Sequence, residues 1–235
     1  MPAPTRLFLR DVTAVNPPTN GEKSTALPVG VFDGNSGAGF EDRSLMTTAG
    51  GAQVSKSRAA LATAAEHDDQ YIARFTLDDL AAQTINANTW IVAVATSEAN
   101  ANANSFTILS LYVWRPSTSS VVGFVYDSDT ILGIEWEIAE DGQVLSIAGS
   151  SVVCAAGDSL VLEFWRHTAG QGMATPYTQT LYFNGTTDVT ETTTSDAASY
   201  IETPQTLDYL VVGQPFTLQE TAVIPAIRQI NPFIR

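Results

Sequence analysis

Two glutamates two residues apart, Glu135 and Glu137 in "GIEWEIAED", come nearest to a paired-carboxylate site. Glycoside hydrolysis needs one carboxyl as acid and another as nucleophile or base across the scissile bond. On a strand, residues i and i+2 share a face, so both acids would point away from Trp136 between them. A pocket lined by acid and tryptophan together is then excluded on this strand, and the pattern also describes a strand with one wet face. Histidine is confined to His67, in "EHDD", and His167, after Trp165-Arg166. Nucleophilic catalysis needs a Ser or Cys with a base and an orienting acid, and no G-x-S-x-G elbow is present. The single cysteine, Cys154, forms no internal disulfide and reads as a small buried filler. The chain is read as a non-enzyme without a cofactor.

Metal and phosphate signals are thin. "YDSDT" sets Asp127 and Asp129 at i and i+2, as calcium loops do, but further oxygen ligands and a suitably placed glycine are missing. They stand as weak candidates and no metal is assigned. "GNSGAG" (34–39) neither follows a strand nor opens a helix, so it fails as a phosphate loop. Trp114 and Trp165 offer an alternative chemistry, stacking on the sugar rings of a host glycan from a sandwich face. Both sit within apolar strands, where core packing is the default.

The elements that must position these residues are strands. "RLFLRDV" (6–12), "QYIARFTLDDL" (70–80), "TWIVAVATSE" (89–98), "SFTILSLYVWR" (105–115), "SVVGFVYDS" (120–128), "IEWEIAED" (134–141), "QVLSIAGSSVVC" (143–154), "DSLVLEFWRHT" (158–168), "YTQTLYFNG" (177–185) and "SYIETPQTLDYLVVG" (199–213) alternate or run apolar. Separators such as "ANANAN", "RPSTSS", "AAGD" and "AGQGMATP" are turn material. Arg115–Ser120 and Asp141-Gly142 are expected to close hairpins, the second as a type I′ turn. Residues 55–69 suit a short helix or an edge strand. Strands every 8–15 residues imply one all-β domain over 1–235, an antiparallel sandwich of jelly-roll type with about ten strands. Residues 13–52, rich in Gly, Pro and Ser, read as an arm or long loop. "TDVTETTTSD" reads as a solvated strand or wide exposed loop after a turn at Asn184-Gly185.

Charge narrows the partners. The chain carries a net charge of −14, which argues against nucleic acid, since phosphate binding relies on Lys and Arg. Residues 75–227 hold Arg115 and Arg166 against seventeen acids, whereas the last eight residues carry Arg228 and Arg235 and no acid. No apolar run approaches the ~18 residues of a membrane span, and "MPAPTRLFLRDV" lacks the apolar stretch of a secretory signal. The expectation is therefore synthesis in a cytoplasm and no membrane. The tail "VIPAIRQINPFIR" sets Val223, Ile224, Ile227, Ile230, Phe233 and Ile234 beside Arg228 and the final Arg235. Residues 223–235 are too apolar to stay in water and must dock on their own body or on a partner.

Several blocks, from "RLFLRDV" through "QYIARFTLDDLAAQTINANTWIVAVATSEANANANSF" to "AGDSLVLEFWRHT" and "LYFNGTTDVTETTTSDAASYIETPQTL", resemble virion structural proteins of tailed bacteriophages. The blocks cover roughly residues 5–208. The resemblance implies a particle component, a jelly-roll decoration protein of the capsid or a tail or neck accessory, bound to other virion proteins and to itself as a homo-oligomer. It carries no active-site residues.

Overall fold

The computed structural model describes residues 4–18, 42–59, 70–168 and 177–210, without the side chains of 58–59, 70, 128–129 and 168. In chain order the strands are β1 (Thr5–Thr13), β2 (Asp42–Met46), β3 (Val54–Ala59), β4 (Gln70–Leu80), β5 (Gln83–Ile85), β6 (Thr89–Glu98), β7 (Ser105–Arg115) and β8 (Ser120–Leu132). They continue with β9 (Asp141–Ala148), β10 (Val152–Cys154), β11 (Asp158–Thr168), β12 (Thr178–Phe183), β13 (Thr187–Asp188), β14 (Ala197–Ala198) and β15 (Tyr200–Thr203). Eleven of them form one sheet in the order β3-β12-β6-β15-β1-β2-β4-β11-β7-β8, with β9 also paired to β6. Since β9 covers residues 89–96 of β6, β12 and β15 share its opposite edge, at residues 95–98 and 91–93.

The sheet folds over itself into a sandwich. Leu109, Leu111 and Val113 of β7 stand opposite Phe164, Leu162 and Leu160 of β11, and all six point into the main core. From the other half come Trp90, Val92 and Val94 of β6, Leu145 and Ile147 of β9, and Leu181 and Phe183 of β12. The halves meet where Phe75 of β4 packs edge-on against Phe183, ring centroids 5.1 Å apart. An aromatic pair in that geometry adds about 0.5–1.5 kcal/mol beyond its area. Ala73, Phe75 and Leu77 of the expected alternation in β4 face this core, but an irregularity at Phe164/Trp165 sets Tyr71 against the Trp165 ring instead, at 5.5 Å.

Both outer faces are also covered in part. Outside β6, Ala93 and Ala95 lie with Phe8 and Tyr200 under Val189, Ala197 and Ala198. Val189 belongs to the Thr-rich segment and Ala197 and Ala198 follow it; the segment is the wide, mostly exposed loop of the two expected forms, pinned on the sheet as a lid by these residues. Its base is Asn184, in the left-handed region at φ 64°. The Asn184 side-chain oxygen accepts from Arg10 Nε and the Asp11 N–H, and its Nδ2 donates to the Ala52 carbonyl. The expected turn is thus present, fixed by side-chain bonds that only an amide supplies.

Several expectations change, the antiparallel pairing among them, since β2 runs parallel to β4, and of 199–213 only Tyr200–Thr203 is a strand among the described residues. Residues 42–46, read as arm, form β2, held between β1 and β4; the rest of the arm, 19–41, lies outside the described residues. "IEWEIAED" is not a strand, because residues 133–140 are irregular between β8 and β9. Residues 143–154 split at Gly149–Ser151 into β9 and β10. Asp141-Gly142 makes no hairpin turn but begins β9, opposite Thr96 and Ala95. Glycine is required there for close approach, since a Cβ on Gly142 would overlap the Thr190 carbonyl of the lid. The Arg115–Ser120 hairpin forms as expected, with Ser119 left-handed at φ 49°. Of 55–69, the described part is the edge strand β3, paired with β12.

Candidate functional site

The residues singled out for chemistry are dispersed. Trp114 and Trp165 are 3 % and 1 % exposed, so neither opens a ring face to a sugar. Trp114 packs with Tyr112 and Val161, flanked by Val121 and Phe124, on the outside of the β11–β7–β8 layer. Asp127 and Asp129 lie within β8 and not in a turn. The Asp127 carboxylate accepts from Ser110 Oγ at 3.2 Å, and no group of three His, Cys, Asp or Glu side chains among the described residues could hold a metal. His167 is buried at the end of β11. His67 and the whole tail, Val223 to Arg235, lie outside the described residues.

Pattern reading missed a polar row on the outer side of the second layer. Asp42 of β2, Arg74 of β4, Glu163 of β11, Ser110 of β7 and Asp127 of β8 stand opposite one another in register. Arg74 Nε donates to Asp42 at 2.6 Å, Arg74 Nη1 lies 3.8 Å from Glu163, and Tyr112 OH donates to Glu163 at 2.8 Å. Arg74 and Glu163 are fully buried. Asp158 is tied bidentately to Arg115 at 2.7 and 2.8 Å and caps Ala155 N–H. Burial alone would push its carboxyl up, but these donors hold it below the ordinary aspartate range. Asp78 accepts from the Val15 and Asn16 amides and fixes the chain where it leaves β1. These groups are engaged in holding strands together.

Among the described residues, exposed apolar side chains include Val15, Val153 and the segment between β8 and β9. Ile134 and Ile138 are each 60 % exposed, with Ile131 and Val144 at 37 %. The segment is anchored beneath by Trp136, 2 % exposed, which stacks on Phe164 and donates from Nε1 to Thr107 Oγ1 at 3.1 Å. Backbone bonds from Trp136 N–H to Ser105 O and from Glu98 N–H to Glu137 O, both 2.8 Å, fix the segment to β7 and β6. Gln143 Nε2 reaches the Ile134 carbonyl at 3.3 Å, bringing Ile134 beside β9. Residues 131–144 carry Glu135, Glu137, Glu140 and Asp141 and no base. Burial raises the Glu98 carboxyl below them, and the charges of Glu135 and Glu137 raise it further. Glu135 and Glu137 therefore flank buried Trp136 on an irregular segment, close enough to Glu98 for their charges to act on it.

Comparison with known proteins is sparse. No family model matches the chain, and no curated protein does. Two solved structures are similar in part. One is a CocE/NonD family hydrolase from Staphylococcus aureus, at a TM-score of 0.42 and 9 % identity, covering 72 % of this chain and 34 % of that one. The other belongs to infectious bursal disease virus, Gx strain, at a TM-score of 0.22 and 12 % identity, covering 66 % and 36 %. The chain spans about a third of the length of each. The class defined by the strands themselves is an all-β sandwich. Beyond that class, likenesses this weak carry no argument about what the chain does.

Proposed function

We propose that this chain is a non-enzymatic structural component of a phage particle, a capsid decoration or head–tail accessory protein acting through protein–protein contacts. The observation that carries the reading is the exposure of Ile134 and Ile138, each 60 %, on the irregular segment between β8 and β9 that also carries Glu135, Glu137 and Glu140. Exposed apolar residues scattered singly need no explanation, but two isoleucines this open, with acids between them on a segment anchored from beneath, suit an association surface. The ionisable groups of the interior support it from the other side. Glu163, Asp158 and Asp78 are each taken up by neighbouring strands, whereas a catalytic pair would need carboxyls open to a substrate. The phage setting rests on the sequence blocks that resemble virion proteins.

Mass spectrometry of density-purified particles tests the reading. The chain should co-purify at fixed stoichiometry, and its copy number then separates capsid decoration from a neck or tail position. A protein left in the soluble lysate while particles assemble without it would refute the structural role.

A further inference from the structure

We infer that the buried end of the sandwich around Glu98 binds one hard monovalent cation, sodium or potassium, between Glu98, Gln179, Thr96 and Ser105. The inference goes beyond the structural reading above and does not depend on it. Strand register brings the four residues together. Trp90, Val92 and Val94 of β6 face the main core, and the period of two carries that face on through Thr96 to Glu98. Gln179 of β12 stands directly opposite Glu98, and Leu181, opposite Thr96, is a core residue. Gln179 and Glu98 therefore share the inner face, their Cβ atoms about 4.5–5.5 Å apart. Ser105 closes the set from β7: its N–H donates to Glu98 Oε2 at 3.0 Å, and its hydroxyl faces the same carboxylate. Glu98 is 2 % exposed, and Thr96, Ser105 and Gln179 are fully buried.

Two observations name the occupant. Thr96 Oγ1 and both amide atoms of Gln179 have no hydrogen-bond partner among the described residues. Buried polar atoms are almost always satisfied, so three of them on adjoining positions beside a carboxylate call for a polar guest. The second observation is charge. The charges acting on Glu98 are those of Glu135 and Glu137, and no Lys or Arg among the described residues pairs with it. Arg166, opposite Thr107 on the inner side of β11, is engaged by other groups. A buried carboxylate without a counter-charge is costly, and a cation supplies that charge. The donors are all oxygens, from carboxylate, amide and hydroxyl, which suits a hard ion. The buried set brings one negative charge and so matches one positive charge, whereas calcium sites gather several carboxylates. The ion would also brace the chain above it, since Glu98 N–H donates to Glu137 O and Trp136 N–H to Ser105 O.

Thermal melting of the full-length protein tests this, in choline chloride against sodium, potassium, magnesium and calcium chloride at equal ionic strength. Sodium or potassium should raise the melting temperature saturably over choline. Glu98→Gln removes the charge and keeps an acceptor for the Ser105 N–H, and Gln179→Met keeps the volume and removes the amide. In each variant the cation concentration that gives the half-maximal rise should increase at least tenfold. The advantage of Glu98→Gln over the wild type at pH 7 should be largest in choline and narrow as the cation is added. Sodium NMR relaxation on the unaltered protein needs no substitution: the line should broaden with folded protein and narrow again on unfolding. Equal melting in choline, sodium and potassium without broadening would leave water alone to satisfy these atoms and overturns the inference. A response that survives intact in both variants places the ion elsewhere and overturns it too. So does a response to divalent ions only.

Discussion

Trp136 should be the most costly single residue to remove from the β8–β9 segment. It lies in irregular chain, yet is 2 % exposed, its indole stacked on Phe164 with centroids 6.1 Å apart and its Nε1 donating to Thr107. Burying an indole removes about 200 Å² from water, worth up to about 5 kcal/mol at ~25 cal/mol per Å². Truncations of this kind cost about 3–5 kcal/mol. An irregular segment collapses into a void more readily than a strand does, so Trp136→Ala is placed at the lower end, about 3 kcal/mol. Trp136→Phe keeps the stack and loses the bond to Thr107, a loss of about 1 kcal/mol. Urea unfolding followed by circular dichroism reads both values. In a chain of this length, thermal melting should fall by roughly 6–12 °C for the alanine variant. A loss below about 1 kcal/mol for Trp136→Ala would show that the indole is not a core residue, and the account of the segment as anchored from below would fail.

Three further outcomes follow from the same framework. Gly142→Ala should destabilise by about 1–3 kcal/mol through the overlap with Thr190, and should hasten proteolysis within 186–196; a neutral result would restore the hairpin turn. Burial raises the Glu98 carboxyl, so the folded chain holds that proton more readily than the unfolded one, and stability falls as pH rises from about 4.3 through the raised value. Glu98→Gln keeps an acceptor for the Ser105 N–H and should melt higher than wild type at pH 7, with the gap closing by pH 4; an equal gap at both would exclude the carboxyl as its cause. Burial, with the nearby Asp158 charge, pushes the Cys154 thiol up to about 11, so it should ignore Ellman's reagent at pH 8 when folded and react fully in denaturant.

How much of this was legible in the sequence depended on whether one strand face was wet. "FTLDDL" alternates, and its Phe75 and Leu77 do face the core. "WIVAVA" does not alternate, because Val92 and Val94 face the core while Ala93 and Ala95 face the lid, all fully buried. A continuous apolar run of that kind signals cover on both sides, yet the run names no cover. The cover was a Thr-rich stretch whose polarity hides its anchors, Val189 within it and Ala197 and Ala198 just after it. "IEWEIAED" misled for the opposite reason. One indole buried between two outward acids reproduces a period of two without any strand partner. β2 was illegible because its stability is non-local: Leu45 is its one core residue, and its pairing with β1 and β4 brings together distant parts of the chain.

The same non-locality explains why acids and bases on the outer face are part of the framework. Arg74 meets Asp42 from one side and Glu163 from the other only when β2, β4 and β11 are in their native register. A slip of one residue would turn Arg74 toward the core and set Phe75 outward. Buried ion pairs add little net stability, because desolvation offsets the attraction, but breaking one by removing a partner costs about 3–5 kcal/mol. A mispaired sheet would carry that penalty at Arg74 and Glu163 together. The row therefore selects one register for the layer that bears Trp114, Trp165 and Phe164, and through Phe164 it fixes the seat of Trp136. The patch at Ile134 and Ile138 is displayed on that seat, so its position is set by charges on the opposite face of the same strands.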